Sequence, residues 1–120
     1  MIGTAWVNFF TGVGVVVQDA QFFVTHSGKP KVTFRAVFPR HPMLPHKGKN
    51  NGDYYTVVAL GKPFVPYLSH LQTGSQVVVF GFAQSRDIEV RGEERTAYEI
   101  VAQALFLVQD PRELEAEDAD

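Results

Sequence analysis

The chain has 120 residues and a mass of 13.4 kDa, and 45% of its residues are apolar and 20% charged, which fits one globular domain with a hydrophobic core. It contains no cysteine, and this excludes disulfide scaffolds, cysteine-bound zinc, iron–sulfur clusters and thiol catalysis. No apolar run approaches the roughly 18–20 residues that cross a bilayer, and no basic residue precedes the first apolar stretch, so we predict a cytoplasmic protein without a secretory signal.

The charges are unevenly distributed along the chain. The net charge is −2, but residues 110–120 carry six acidic residues and one basic residue, whereas residues 1–109 have a net charge of +3. Residues 29–62 alone contain seven basic residues against Asp53. This segregation favours a polyanionic partner, although plain solvation of the surface explains it equally well. We predict a folded domain over residues 1–108 and a disordered acidic tail over residues 109–120.

The first half of the chain is predicted to be extended. Residues 4–17 are dense in β-branched and aromatic side chains and predict a strand in which Gly12 and Gly14 mark a bend or bulge. Residues 22–25 predict a short extended piece, and a turn follows at residues 26–29. Residues 31–38 alternate between apolar and mostly polar side chains. The predicted core face of this strand consists of Val32, Phe34, Ala36 and Phe38.

The second half adds a loop, a helix and three strands. Three prolines within residues 39–52 predict a loop, residues 54–60 a strand, and residues 63–73 a short helix ended by Gly74. Residues 75–84 and 95–108 predict two strands around a hairpin tip at residues 91–93. The order β-β-β-α-β-β predicts an all-β fold, namely a five-stranded OB-fold (a Greek-key barrel) with one short helix between strands 3 and 4.

The strand at residues 75–84 is apolar on both faces. Val77 and Val79 occupy one face, whereas Val78, Phe80 and Phe82 occupy the other. A five-stranded barrel has only one interior, so the second face predicts a homo-oligomer, most simply with two-fold symmetry. The alternative is that the helix or a loop covers this face.

Several motifs share one family resemblance. Residues 53–62 (D-Y-Y-T-V-V-A-L-G-K), Tyr67-Leu68 in the predicted helix, and residues 74–77 (G-S-Q-V) resemble the bacterial single-stranded-DNA-binding proteins. Residues 14–19, 32–34 and 98–101 extend the similarity over residues 5–108. The resemblance implies an OB-fold, usually a homotetramer with a dimer also possible, that coats single-stranded DNA and recruits replication or repair proteins through its tail. It implies no catalysis, cofactor, metal or membrane partner.

Non-specific binding of a single strand needs cations along the phosphates and aromatic faces for the bases. The resemblance matches Tyr54 to a tryptophan of the family, whereas Leu60, Arg40 and Ile88 stand at or near its other aromatic positions. Long loops around residues 40–52 and 86–95 are predicted to close over the DNA. The predicted DNA-binding residues are Lys29, Lys31, Arg35, Arg40, Lys47, Lys49, Tyr54, Thr56, Lys62, Arg86 and Arg91. The aromatic residues predicted instead to serve the core or an interface are Trp6, Phe9, Phe10, Phe22 and Phe23, and Tyr55 is predicted to face inward or toward a neighbouring subunit.

Two other functions stay open at this point. The first is a protein-interaction module like the primosomal replication proteins, which resemble the same family and bind single strands weakly; the lost aromatic positions and a tail without a hydrophobic tip favour it. The second is an enzyme that uses His26, His41, His46 or His70. The spacing of these histidines shows neither a metal-binding pattern nor a Ser-His-Asp arrangement, so exposed or phosphate-facing roles are favoured.

Overall fold

Five strands and one short helix make up the fold, in a computed structural model that describes residues 8–48 and 51–108. The strands are β1 (Phe10–Val24), β2 (Pro30–Pro39), β3 (Gly52–Leu60), β4 (Gln76–Val90) and β5 (Glu93–Leu107), and a 3₁₀ helix spans Lys62–Ser69. They close into a barrel in the order β1-β2-β3-β5-β4, in which β3 and β5 are parallel and the other pairs antiparallel. The predicted five-stranded OB-fold, with its helix between strands 3 and 4, is confirmed. The predicted acidic tail lies outside the described residues.

The core fills the barrel with side chains from every strand. The predicted inward row of β2 is confirmed, because Val32, Phe34, Ala36 and Phe38 are all buried. Burying each Val, Leu or Phe side chain contributes about 1.5–3 kcal/mol. Leu71, just after the 3₁₀ helix, is fully buried in the same cluster. The other large buried members of the cluster are Val16, Val57, Val77, Val79, Ile100 and Leu105.

Strand β1 differs from its prediction because it is one long bent strand. It continues through residues 17–22, and its register against β2 shifts between Val16 and Gln18 and again between Gln18 and Gln21. The bulge predicted as one possibility at Gly12 and Gly14 does not form, since both glycines pair in continuous register with β4. Their role is spatial. A Cβ atom on Gly14 would lie 2.7 Å from a carbon of the Phe38 ring, so the missing side chain makes room for that ring.

The helix is shorter and tighter than the predicted residues 63–73. It ends at Ser69 and is a 3₁₀ helix, with Pro63 in its first turn and Pro66 inside it. Neither proline has a backbone N–H, and a proline ring clashes with the preceding turn of an α-helix, which explains why a longer α-helix does not form. The turn that follows donates the Leu71 N–H to the Tyr67 carbonyl at 3.0 Å. This contact directs Leu71 into the end of the barrel.

Strands β4 and β5 continue beyond the barrel as a two-stranded ribbon. Residues 86–95, predicted as a loop, pair up to Val90 opposite Glu93. The turn at Arg91 and Gly92 has positive φ at both positions, as in the tight hairpin turns that match strand twist. The predicted finger is therefore a hydrogen-bonded ribbon. Within the described residues, no helix is long and apolar enough to cross a membrane.

Candidate nucleic-acid interface

Side chains of β1, β2 and β3 that alternate with the core form what we call the outer face. On β2, Arg35 lies opposite Thr56 of β3, and Val37 lies opposite Tyr54. Toward the start of β2, Lys31 lies opposite Phe23 of β1. Cross-strand partners project to the same side of a sheet. Strand pairing therefore brings the predicted residues Lys31, Arg35, Tyr54 and Thr56 onto one surface.

Tyr54 is an accessible aromatic ring with two cations near it. The residue is 38% exposed. The Arg35 guanidinium carbon lies 5.9 Å from the ring centroid, and Lys47 Nζ lies 5.7 Å from it. Lys47 Nζ also approaches the Gly52 carbonyl oxygen at 3.4 Å, which holds it near the start of β3. We call Tyr54, Arg35 and Lys47 the Tyr54 platform.

A second aromatic ring meets cations at the other end of the outer face. Phe23, His26, Lys31 and Arg86 line one cleft, which we call the Phe23 cleft. Lys31 Nζ lies 5.5 Å from the centroid of the Phe23 ring. Phe23 is 46% exposed, so it does not lie in the core, and the alternative that it serves an interface stays a prediction. Phe22 and Phe9 are exposed as well, whereas Phe10 packs against the core; Trp6 lies outside the described residues.

Arg86 is paired with a carboxylate that the sequence analysis did not single out. Arg86 Nε lies 3.2 Å from Glu99 Oε1, and the exposed fractions of the two side chains are 55% and 6%. Gln84 Nε2 donates a 2.6 Å hydrogen bond to the same oxygen. Glu99 also stands beside Thr56 in the parallel β3–β5 pairing. The charge of Arg86 at the Phe23 cleft is thus partly neutralised by the buried Glu99 carboxylate.

Arg40 is directed toward its own fold. Its Nη1 lies 3.4 Å from Asp53 Oδ1, and about a quarter of each side chain is exposed. The Arg40 backbone N–H also donates to the Asn51 carbonyl at 3.0 Å, so the residue closes the loop between β2 and β3. Its charge is already paired in the described structure.

The remaining predicted cations are spread over other parts of the barrel. Lys29 and Lys62 are exposed near one another, where the Gly61 N–H bonds the Pro30 carbonyl at 2.8 Å. Arg91 is exposed at the tip of the ribbon, about 17 Å from Arg86 at about 3.4 Å per residue. Lys49 lies outside the described residues. The structure therefore brings together only part of the predicted set.

The histidines do not assemble a metal site in the part of the chain that the structure describes. No group of three or more His, Asp or Glu side chains there could hold a metal ion. His41 Nδ1 instead accepts a 3.1 Å hydrogen bond from the Met43 N–H, which stabilises a turn in the loop.

Comparison with known proteins identifies the family of this chain. The sequence profile of the Single-strand binding protein family matches residues 7–108. The chain belongs to this family. Among solved structures, the Plasmodium falciparum SSB complex with ssDNA matches with a TM-score of 0.72 and 17% sequence identity, covering 90% of this chain and 100% of that chain. At that identity the likeness shows the fold alone. A search of curated protein sequences found no match.

Two motifs that carry the family resemblance, residues 14–19 and residues 74–77, make hydrogen bonds that stabilise the fold. Asp19 Oδ1 accepts hydrogen bonds from the Thr73 N–H at 2.7 Å and the Thr73 hydroxyl at 2.8 Å. These bonds lower the pKa of Asp19 below its ordinary value, because they stabilise the ionised carboxylate. The Gly74 N–H bonds the Val16 carbonyl, and the Val16 N–H bonds the Ser75 carbonyl, both at 2.8 Å. In this single-strand binding protein, both motifs fasten the segment after the helix to β1.

Proposed function

We propose that the protein binds single-stranded DNA without sequence preference and protects it during replication, recombination or repair. The strand lies along the outer face, with bases against aromatic rings and phosphates against the cations beside them. The observation that carries this proposal is the Tyr54 platform, an accessible ring with Arg35 and Lys47 each within 6 Å of its centroid. Every base has a π-face, so stacking of this kind tolerates any sequence.

Binding to oligonucleotides tests the proposal directly. We expect labelled poly-thymidine to bind more tightly than duplex DNA of equal length, with an affinity that falls as salt rises. Tyr54→Ala should weaken binding by about 1–3 kcal/mol, the usual value of one stacked base. Tyr54→Phe is the matched control, since it keeps the ring and should retain most of the affinity. Equal affinity for the wild type and Tyr54→Ala would show that the DNA binds elsewhere.

The protein is also proposed to be a homo-oligomer, with a tetramer favoured over a dimer. A continuous apolar surface covers the outside of β1, β4 and β5, where Val13 pairs with Val78 and Val78 pairs with Phe106. Phe106 is 57% exposed, and its ring packs edge-on against Phe80 with centroids 5.7 Å apart. A contiguous apolar patch of this kind is typical of a protein interface.

Light scattering tests the assembly. The wild type is expected to have a multiple of the 13.4 kDa chain mass, and Phe106→Asp is expected to reduce it by placing a charge in the contact. Met43→Asp is the matched control, because Met43 is highly exposed in the loop between β2 and β3. A monomeric wild type, or an unchanged mass for Phe106→Asp, would contradict this interface.

One observation favours a second candidate, an interaction module of the primosomal type with weak single-strand binding. Leu60 lies on the outer face, opposite Lys31, at a position where the resemblance leads one to expect an aromatic ring. A leucine cannot stack on a base as an aromatic ring does. Weak poly-thymidine binding, with little response to Tyr54→Ala, would favour this candidate. In either case we propose no catalytic activity and a location with DNA in the nucleoid.

A further inference from the structure

We propose that the Phe23 cleft is a second base-stacking site, which takes another nucleotide of the strand that stacks on Tyr54. This inference rests on the proposed function and assigns a role to Phe23, Lys31 and Arg86. The Phe23 ring takes the base, and the Lys31 ammonium and the Arg86 guanidinium take the flanking phosphates.

The position of Phe23 on the outer face is the first argument. Residue 16 of β1 pairs with residue 36 of β2, and both side chains face the core. Two register shifts follow in β1, and after them Phe23 pairs with Lys31. Lys31 points away from the core row of β2, so Phe23 does as well. Its neighbour Phe22 lies opposite the buried Val32 and therefore faces the other side. The two rings are equally exposed, at 46% and 45%, but only Phe23 shares the face of Tyr54.

The chemistry of the cleft is the second argument. An accessible aromatic ring with cations beside it is the combination that proteins use to bind single strands. Lys31 Nζ is 5.5 Å from the Phe23 centroid, and Arg86 reaches the same cleft from the β4–β5 ribbon. Arg86 meets Glu99 in an ion pair in which Nε lies 3.2 Å from Oε1. A guanidinium carries five N–H donors, so one such pair leaves Arg86 with donors for a phosphate.

The spacing of the two rings is the third argument. Tyr54 pairs with Val37 and Phe23 pairs with Lys31, so six residues of β2 separate the two positions. At about 3.3 Å per residue this is about 20 Å along the strand. Arg35 lies between them on the same face, opposite Thr56. A strand that spans both rings would thus meet a cation between them, and site sizes of about 4–16 nucleotides per OB-fold accommodate that length.

Affinity measurements with a labelled poly-thymidine of about 20 nucleotides, longer than the distance between the two rings, test the proposal. Phe23→Ala is expected to weaken binding about fivefold to a hundredfold, whereas Phe22→Ala should bind like the wild type. If both variants bind like the wild type, or both weaken equally, the cleft is not a stacking site. If Phe23→Ala changes the mass in light scattering while its affinity is unchanged, Phe23 is a subunit contact and the proposal is wrong.

Tryptophan substitution gives a readout that does not depend on affinity. In a Trp6→Phe background, emission from Phe23→Trp should be quenched when poly-thymidine is added, and emission from Phe22→Trp should not. Quenching that is equal at both positions, or absent at position 23, would overturn the proposal. The outcomes also separate the two levels of inference. If Tyr54→Ala weakens binding and Phe23→Ala does not, only the cleft fails; if the wild type does not bind poly-thymidine, the proposed function itself fails.

Discussion

Glu99 is a buried anion beside the proposed path of the DNA, and removing its charge should tighten binding. Glu99→Gln keeps the shape of the side chain and an oxygen that can accept the hydrogen bond from Gln84. It removes the negative charge that now lies 3.2 Å from Arg86. The substitution therefore separates the effect of charge from that of side-chain orientation.

The size of the effect follows from the geometry. A phosphate held by the outer N–H groups of Arg86 would lie about 6–8 Å from the Glu99 carboxylate, given the 3.2 Å ion pair and about 2.8 Å for a charge-assisted hydrogen bond. Two unit charges at that distance repel by about 0.6 kcal/mol in water and about 2.4 kcal/mol at an effective dielectric constant near 20. Because Arg86 is more than half exposed, water screens the pair. We expect a gain of about 1 kcal/mol, or roughly fivefold in affinity.

The same substitution should destabilise the fold. Loss of the ion pair is expected to lower the free energy of unfolding by about 1 kcal/mol, below the roughly 3–5 kcal/mol of a fully buried pair, because Arg86 stays hydrated. Anisotropy titrations with poly-thymidine measure the affinity, and urea unfolding measures the stability. Glu94→Gln is the matched control, because Glu94 pairs with Glu89 on the opposite face of the ribbon from Arg86. Its affinity should not change.

Affinity that falls in Glu99→Gln would refute this reasoning. It would mean that the negative charge of Glu99 helps binding, because the ion pair holds Arg86 in place more firmly than a neutral Gln side chain would. Glu99→Ala then distinguishes the two roles. If repulsion dominates, Glu99→Ala binds at least as tightly as the wild type; if orientation dominates, it binds more weakly than Glu99→Gln.

Three further substitutions probe the surface and the fold. Lys47→Ala should reduce the slope of log affinity against log salt by about 0.7, the value of one phosphate contact on a single strand; an unchanged slope would place Lys47 off the DNA path. Asp19→Asn should remove a stabilisation that the wild type has above about pH 4 and loses as the pH falls through the lowered pKa of Asp19. The melting temperatures of the wild type and the variant should therefore approach each other between pH 6 and pH 3, and a constant difference would contradict this. Gly81→Ala should destabilise the fold by about 1–3 kcal/mol, because its Cβ would overlap the Val101 carbonyl oxygen; an unshifted urea midpoint would argue against this close approach.

Much of the fold could be predicted because its strongest signals are local. The alternation in residues 31–38 identified the buried row of β2, and the order of the elements identified the barrel. The strand boundaries that were predicted wrongly depend on pairing between residues that the sequence alone does not bring together. Residues 86–95 contain no unusual strand signal, yet they pair across the ribbon up to Val90 and Glu93. The predicted length of the helix was wrong for a local reason, because Pro66 limits it to a short 3₁₀ helix.

The site was harder to predict than the fold. Arg35 and Tyr54 could be found from alternation and from the family resemblance. Arg40 resembled a surface cation, but its pairing with Asp53 depends on how the loop between β2 and β3 closes. Phe23 sits among apolar neighbours, and its face is set by two register shifts that no sequence period reveals. The position of Lys31 opposite Phe23 became visible only with the strand pairing.

The outer face also sets an expectation for how strongly salt affects binding. Four cations stand beside its two rings, namely Lys31, Arg35, Lys47 and Arg86. Four phosphate contacts predict a slope of about −2.8 in log affinity against log salt, so a tenfold rise in salt should weaken binding about 600-fold. Stacking contributes little to this slope, because bases carry no charge. We expect a slope near −2.8 in the wild type and in both Tyr54→Ala and Phe23→Ala, with only the affinity reduced in the two variants. This result would separate the electrostatic part of the interface from its aromatic part. A slope near zero would remove the outer face as the binding surface.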